Sequence, residues 1–149
     1  MLFLSGKREL EAEGSLPGIP CRGEGVAAAA IVEEGDRSVF SGADTRLAEV
    51  LGLGAAGCIG GLVNFVPGEM VAIHEGVRTG REAGIPELSA RVAAAGRIVD
   101  QLTFPLNVAC GVEARGSDPG LPKTVVSPET ERLYRKVTDD FRTLFRDWK

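Results

Sequence analysis

The chain has little of what most soluble enzymes use for chemistry. Among 149 residues there is one histidine, one tyrosine and one tryptophan, and aromatics make up only 5%. The lone histidine, His74, falls on a predicted helix with no cysteine or carboxylate pair at metal-ligand spacing near it. It therefore reads as a surface or packing residue. The three cysteines, Cys21, Cys58 and Cys110, also lack metal spacing and cannot all pair. They read as free thiols in a reducing cytosol, so a cytoplasmic location is expected, with no metal and no cofactor. No apolar run approaches the length needed to cross a bilayer. The opening Met1-Leu2-Phe3-Leu4 is too short for a signal-peptide core and is followed by Lys7 and Arg8. A net charge of −4 argues against nucleic acid or an anionic membrane as the main partner.

What is present is a soluble globular composition, 44% hydrophobic and 26% charged, with 20 glycines. The most informative stretch runs from Ser38 to Pro67. Ser38 to Ser41 is a short apolar run closed by Gly42. Thr45 to Leu53 has a helical pattern with Leu47, Val50 and Leu51 on one face. Ala56 to Val63 is small, apolar and glycine-rich, which suits a strand buried on both faces. Asn64 and Pro67 then mark the start of another helix. Strand, crossover and strand in about thirty residues make a βαβ unit with parallel strands.

The remainder reads as helical. Gly68 to Thr79 places Met70, Ile73 and Val77 on one face, and Gly80 and Gly84 break it. Pro86 suits a first helical turn. Leu88, Val92, Ala95, Val99 and Leu102 follow at helical spacing. Phe104 to Gly111 is open between a short helix and irregular chain, and Gly116 to Pro122 is a loop. Ser127 can cap the last helix, with Pro128 and Glu129 in its first turn. There Tyr134, Val137, Phe141, Leu144 and Trp148 form a stripe that reads as packing surface. The charges of this helix, among them Arg132, Arg135, Lys136, Arg142, Glu131, Asp139 and Asp140, read as a solvated face.

Two motifs are decoys. Gly52-Leu53-Gly54-Ala55-Ala56-Gly57 fits the dinucleotide-binding glycine pattern, but a helix precedes it and a strand-like run follows, the reverse of the order that brings a pyrophosphate to a helix N-terminus. Its glycines suit a tight helix-to-strand turn. Ser41 lacks the setting of a nucleophilic serine and has no evident base.

The ordered set Ser41, Gly42, Asp44, then Gly54, Gly57, Ile59, Gly60 and Asn64 resembles the last two strands of the dihydrodipicolinate synthase / N-acetylneuraminate lyase family. The family pattern there is S-G-x-D, a helix, then G-x-x-G-x-I-[SG]-x-x-x-N. The resemblance extends over about Ile31 to Phe145 and includes the helices that follow. It implies an α/β fold, the last two strand-helix units of a (β/α)8 TIM barrel followed by C-terminal helices. It also implies lyase or aldolase chemistry on pyruvate or another small 2-oxo acid through a lysine Schiff base. The corresponding division of the chain is an irregular arm over 1–30, the two barrel units over 31–84 and a helical region over 85–149. By resemblance the substrate-contacting residues are Gly42, Asp44, Ile59, Gly60 and Gly61. Asp44 would meet substrate hydroxyls, and Ile59, Gly60 and Gly61 would line the 2-oxo acid pocket. A cap at the start of the following helix explains Asp44 equally well.

The reaction centre of the family has no match. Its lysine lies in a G-[IV]-K-[DE] setting, its tyrosine near Y-N-x-P and its carboxylate-binding residues in T-T-G-E. The lysines here are Lys7, Lys123, Lys136 and Lys149, none ending an apolar strand, and the tyrosine is Tyr134 in the last helix. No catalytic residue is therefore assigned. At 149 residues the chain could form one domain with a core, whereas a closed barrel takes roughly 200–250 or more. The segment from Glu13 to Gly25 lacks periodicity. It reads either as the place where a reading frame departs from a longer ancestral enzyme, near Gly25, or as an N-terminal arm. Three expectations follow: a C-terminal remnant inactive alone, a non-catalytic module pairing with itself or with a full-length homologue, or a small enzyme rewired onto a remaining lysine such as Lys123.

Overall fold

A computed structural model describes residues 40–123 and 125–148. The segment from Glu13 to Gly25 lies outside the described residues. Within them the protein is mostly helical, with one two-stranded parallel sheet. Strand β1 (Phe40–Ser41) leads through a 3₁₀ turn (Asp44–Arg46) into helix α1 (Leu47–Gly52), and β2 (Gly57–Cys58) returns beside β1. Phe40 faces Gly57 and Ser41 faces Cys58. A second 3₁₀ turn (Leu62–Asn64) opens onto α2 (Pro67–Thr79), followed by α3 (Ile85–Val99), α4 (Leu106–Ala114) and α5 (Pro128–Arg146).

The parallel strand-helix-strand order expected from the sequence is present, but its second strand is far shorter than Ala56–Val63. Only Gly57 and Cys58 pair along the ladder, with the Ile59 amide adding one bond to the Ser41 carbonyl at 2.9 Å. Beyond Ile59 the backbone curls, because Gly60 and Gly61 impose no strand preference and Leu62 to Asn64 close a 3₁₀ turn. The helix expected over Thr45–Leu53 divides in the same way into a 3₁₀ turn and a short α-helix.

The helix boundaries follow local chemistry. Pro67 opens α2, and Gly80 ends it at φ 68°. Gly84, at φ 88°, precedes α3, which carries Pro86 in its first turn. Both glycines hold left-handed backbone that a side chain would strain. The segment left open between helix and irregular chain is helix α4. Ser127 caps α5 by accepting from the Thr130 amide at 3.2 Å.

The core lies between α1, α2, α3 and the pair α4–α5. Its centre is Phe65, Val66, Ile73, Val92, Val137 and Phe141, all essentially inaccessible. The α5 stripe expected to pack does so: Val137 and Phe141 are buried, and Tyr134, Leu144 and Trp148 pack against the core. Phe65 meets Phe141 edge-on with ring centroids 5.1 Å apart, and the rings continue through Phe145 to Trp148. Arg115 closes this row. Its guanidinium lies 3.9 Å from the Phe145 ring centroid, and its Nε donates to the Phe65 carbonyl at 2.7 Å. Leu102 is buried as its spacing suggested, although it lies just beyond the end of α3. No helix among the described residues is long and apolar enough to cross a membrane.

Candidate functional site

The two strands end side by side, and the chain leaving each carries one part of the sequence-derived site. After β1 come Gly42 and Asp44; after β2 come Ile59, Gly60 and Gly61. Residues at the C-terminal ends of parallel strands face outward from the sheet into the space where ligands of α/β folds bind.

The first segment is fixed locally. Ser41 is buried, and its Oγ accepts from the Ala43 amide at 3.0 Å, which turns the backbone sharply out of the strand. That turn directs Asp44 away from its own helix. Neither the 3₁₀ turn that Asp44 begins nor α1 has a side-chain cap. The Asp44 carboxylate instead crosses to the second segment, where its Oδ2 accepts from the Leu62 amide at 2.8 Å. Leu62 begins the 3₁₀ turn after β2, so Asp44 supplies the acceptor for an amide at the start of that turn. The capping explanation thus holds in a different form: the turn capped lies 18 positions further on in the chain.

Only one carboxylate oxygen accepts a backbone amide, while the Cys58 thiol also interacts with the carboxylate. Asp44 is 9% exposed, and its Oδ1 has no hydrogen-bond partner among the described residues. A buried acceptor in this state carries a desolvation cost of roughly 1–3 kcal/mol. Gly60 lies directly against it, since a side chain built on Gly60 would occupy the space of the Asp44 carboxylate. On the other side stands Cys58. Burial, followed by the neighbouring Asp44 carboxylate, pushes its thiol up to about 11, so at neutral pH it is a protonated, weakly nucleophilic group.

Of the five predicted residues the structure brings Asp44 and Gly60 into direct contact. Gly61 faces α4, where a side chain would meet Val108 Cγ2 at 2.9 Å. Gly42 is exposed with open space around it, and Ile59 is 70% exposed. Cys58, Ser41 and the Leu62 amide complete the cluster and were not singled out from the sequence as site residues. The pairing of Ser41 with Cys58 across the two strands is the signal that could have found Cys58.

Other candidates lie elsewhere. His74 Nε2 donates to the Ala56 carbonyl at 3.2 Å. Tyr134 donates to Glu113 at 2.9 Å, and its hydroxyl is pushed upward by burial and by that carboxylate. Lys136 is exposed and bound to Asp140 and Gln101, and Lys123 lies in an exposed loop. An open cleft of about 460 Å³ between the start of α2 and the end of α4 contains none of the five predicted residues. Arg115 on its wall is already committed to the Phe65 carbonyl and to Glu69. Among the described residues no group of three or more His, Cys, Asp or Glu could hold a metal ion.

The pattern of the dihydrodipicolinate synthetase family matches residues 24–142, most of the chain and all of this cluster. The chain belongs to that family. No curated protein and no solved structure matches it. Membership in this family associates the chain with lyase and aldolase chemistry and with small 2-oxo acids as the substrate class.

Proposed function

We propose that this chain carries a substrate-facing C-terminal part of a Schiff-base lyase of this family and does not form the imine itself. The small 2-oxo acid, such as pyruvate, would be met by Gly42, Asp44, Ile59, Gly60 and Gly61. The observation that carries the reading is Asp44, held at the end of a parallel strand with one oxygen tied to the Leu62 amide and the other, among the described residues, with no donor beyond the neighbouring Cys58 thiol. A Schiff-base step needs an amine whose pKa is lowered by burial or by neighbouring cations. No lysine lies anywhere from Phe40 to Val66, and Lys136 is a solvated, ion-paired side chain. The test is reaction of the purified 149-residue chain with pyruvate and borohydride, read by intact mass. The expected result is no adduct while a competent lyase labels normally. A pyruvate-sized adduct abolished by Lys123→Ala would overturn the reading in favour of a rewired enzyme.

A second reading is favoured by one observation. Phe40 and Ile59 are 54% and 70% exposed, and among the described residues each strand of the sheet has one neighbour. Unpaired parallel strands with apolar residues are surfaces for association. This supports a module that packs onto itself or onto a full-length homologue. Native mass spectrometry of the chain alone and mixed with such a homologue tests it. Monomers in both samples would rule it out.

A further inference from the structure

The contact between Asp44 and Gly60 goes beyond the family pattern, in which both residues simply face a pocket. We infer that Gly60 is a positioning residue for Asp44: without a side chain at position 60, the carboxylate can cross from one strand end to the other. It thereby binds the Leu62 amide with one oxygen and holds the other against Gly60, at the ends of the two strands where a bound molecule would meet it. This rests on the proposed substrate-facing role of Asp44, which it deepens by naming the residue that sets its geometry.

Three observations converge. A side chain on Gly60 would fall on the carboxylate itself, touching both oxygens and Cγ. The carboxylate cannot retreat without breaking the 2.8 Å bond that holds Leu62 at the head of its turn. Gly60 does not need to be glycine for backbone reasons, because it is not among the residues with positive φ. In this chain the close approach of the Asp44 carboxylate is what a side chain at position 60 would meet. By contrast Gly42, on the other strand end, has nothing within 4 Å, so a methyl group there meets no such obstacle.

The experiment uses the Cys58 thiol as a built-in reporter of where the carboxylate lies. Wild type, Gly60→Ala, Asp44→Ala and the double variant are treated with iodoacetamide across a pH series, and modification of Cys58 is read by peptide mapping. Asp44→Ala should lower the apparent pKa of Cys58 by the share that the carboxylate contributes. Gly60→Ala should lower it in the same direction, and in the Asp44→Ala background it should add nothing. A fall of one unit makes alkylation near pH 9 roughly threefold faster, after allowing for the weaker nucleophilicity of the more acidic thiol. A wild-type profile in Gly60→Ala, an unchanged profile in Asp44→Ala, or an undiminished shift from Gly60→Ala in the Asp44→Ala background would each overturn the inference. If Gly60→Ala fails to fold, the double variant should recover a cooperative melt, because the collision is gone. A double variant that stays unfolded would refute the inference. No substrate is present in these measurements, so they can fail while the borohydride result stands, and the reverse.

Discussion

Gly111 in the middle of α4 offers a substitution whose sign separates two physical arguments. By helix propensity alone, Gly111→Ala should stabilise the protein by about 1 kcal/mol. Packing predicts the opposite. A methyl group at position 111 would lie 2.5 Å from Phe65 Cδ1, 2.6 Å from Cγ and 2.7 Å from Cε1. Comfortable carbon-carbon contact begins near 3.5 Å, so the ring would have to move by roughly 1 Å. Phe65 has no room for this: it is 2% exposed, edge-on to Phe141 at 5.1 Å and close to Phe145 at 6.3 Å. Overpacking of this kind costs about 1–3 kcal/mol, and a fully enclosed ring places it near the upper end. The net expectation is a loss of about 2 kcal/mol, or a melting temperature lower by roughly 6 °C for a chain of this size. Phe65→Leu removes the colliding ring edge, so Gly111→Ala in that background should cost much less than in wild type. Thermal and urea unfolding of the four proteins give the cycle. A rise in stability from Gly111→Ala alone, or equal costs in both backgrounds, would refute the packing argument.

Two further stability predictions use the same assays. Ser127→Ala removes the side-chain acceptor for the Thr130 amide and should cost about 1 kcal/mol, since Pro128 and Glu129 remain to favour the first turn of α5. No change in urea midpoint would show that solvent replaces the cap fully. The second concerns pH. In the folded chain the neutral Cys58 thiol is favoured, with the folded value near 11 above the ordinary thiol range. The folded state therefore keeps its proton where the unfolded state has lost it, and stability falls as pH rises from about 9 towards 11. Cys110 and Tyr134 are shifted in the same direction, so Cys58→Ala should flatten the decline in urea midpoint without abolishing it. An identical slope in the variant would contradict the assigned burial of Cys58.

The parts of the structure legible in the sequence are those decided by neighbours in the chain. Pro67, Gly80, Gly84 and Pro86 mark helix limits by acting on their own backbone, and Ser127 by capping an amide three residues on. The α5 stripe was legible because its spacing matches the helical period. The length of the second strand was not. Ala56–Val63 has the composition of a buried strand, but composition cannot show that the paired ladder stops at Cys58 and that Leu62 heads a turn. The partner of Asp44 was equally hidden, since it depends on two loops meeting 18 positions apart. Helix capping at Asp44 was the right kind of chemistry assigned to the nearer turn.

That partial success bears on function. If Asp44 only held the turn at Leu62, one acceptor would be enough, and a carboxylate would be a costly way to supply it. Among the described residues the second oxygen has only a weak thiol donor beside it, and burying it so carries a desolvation cost that a Ser or Thr hydroxyl, which can rotate and donate, largely avoids. Buried polar groups in folded proteins are overwhelmingly paired, and exceptions concentrate where a ligand or a reaction supplies the missing partner. The structural half of Asp44 is accounted for by Oδ2 and the Leu62 amide. The other half is Oδ1, beside a glycine with no side chain to fill the space and a thiol held protonated. Oδ2 serves the turn, and Oδ1, beside the Cys58 thiol at the ends of the two strands, is where the proposed substrate contact would fall.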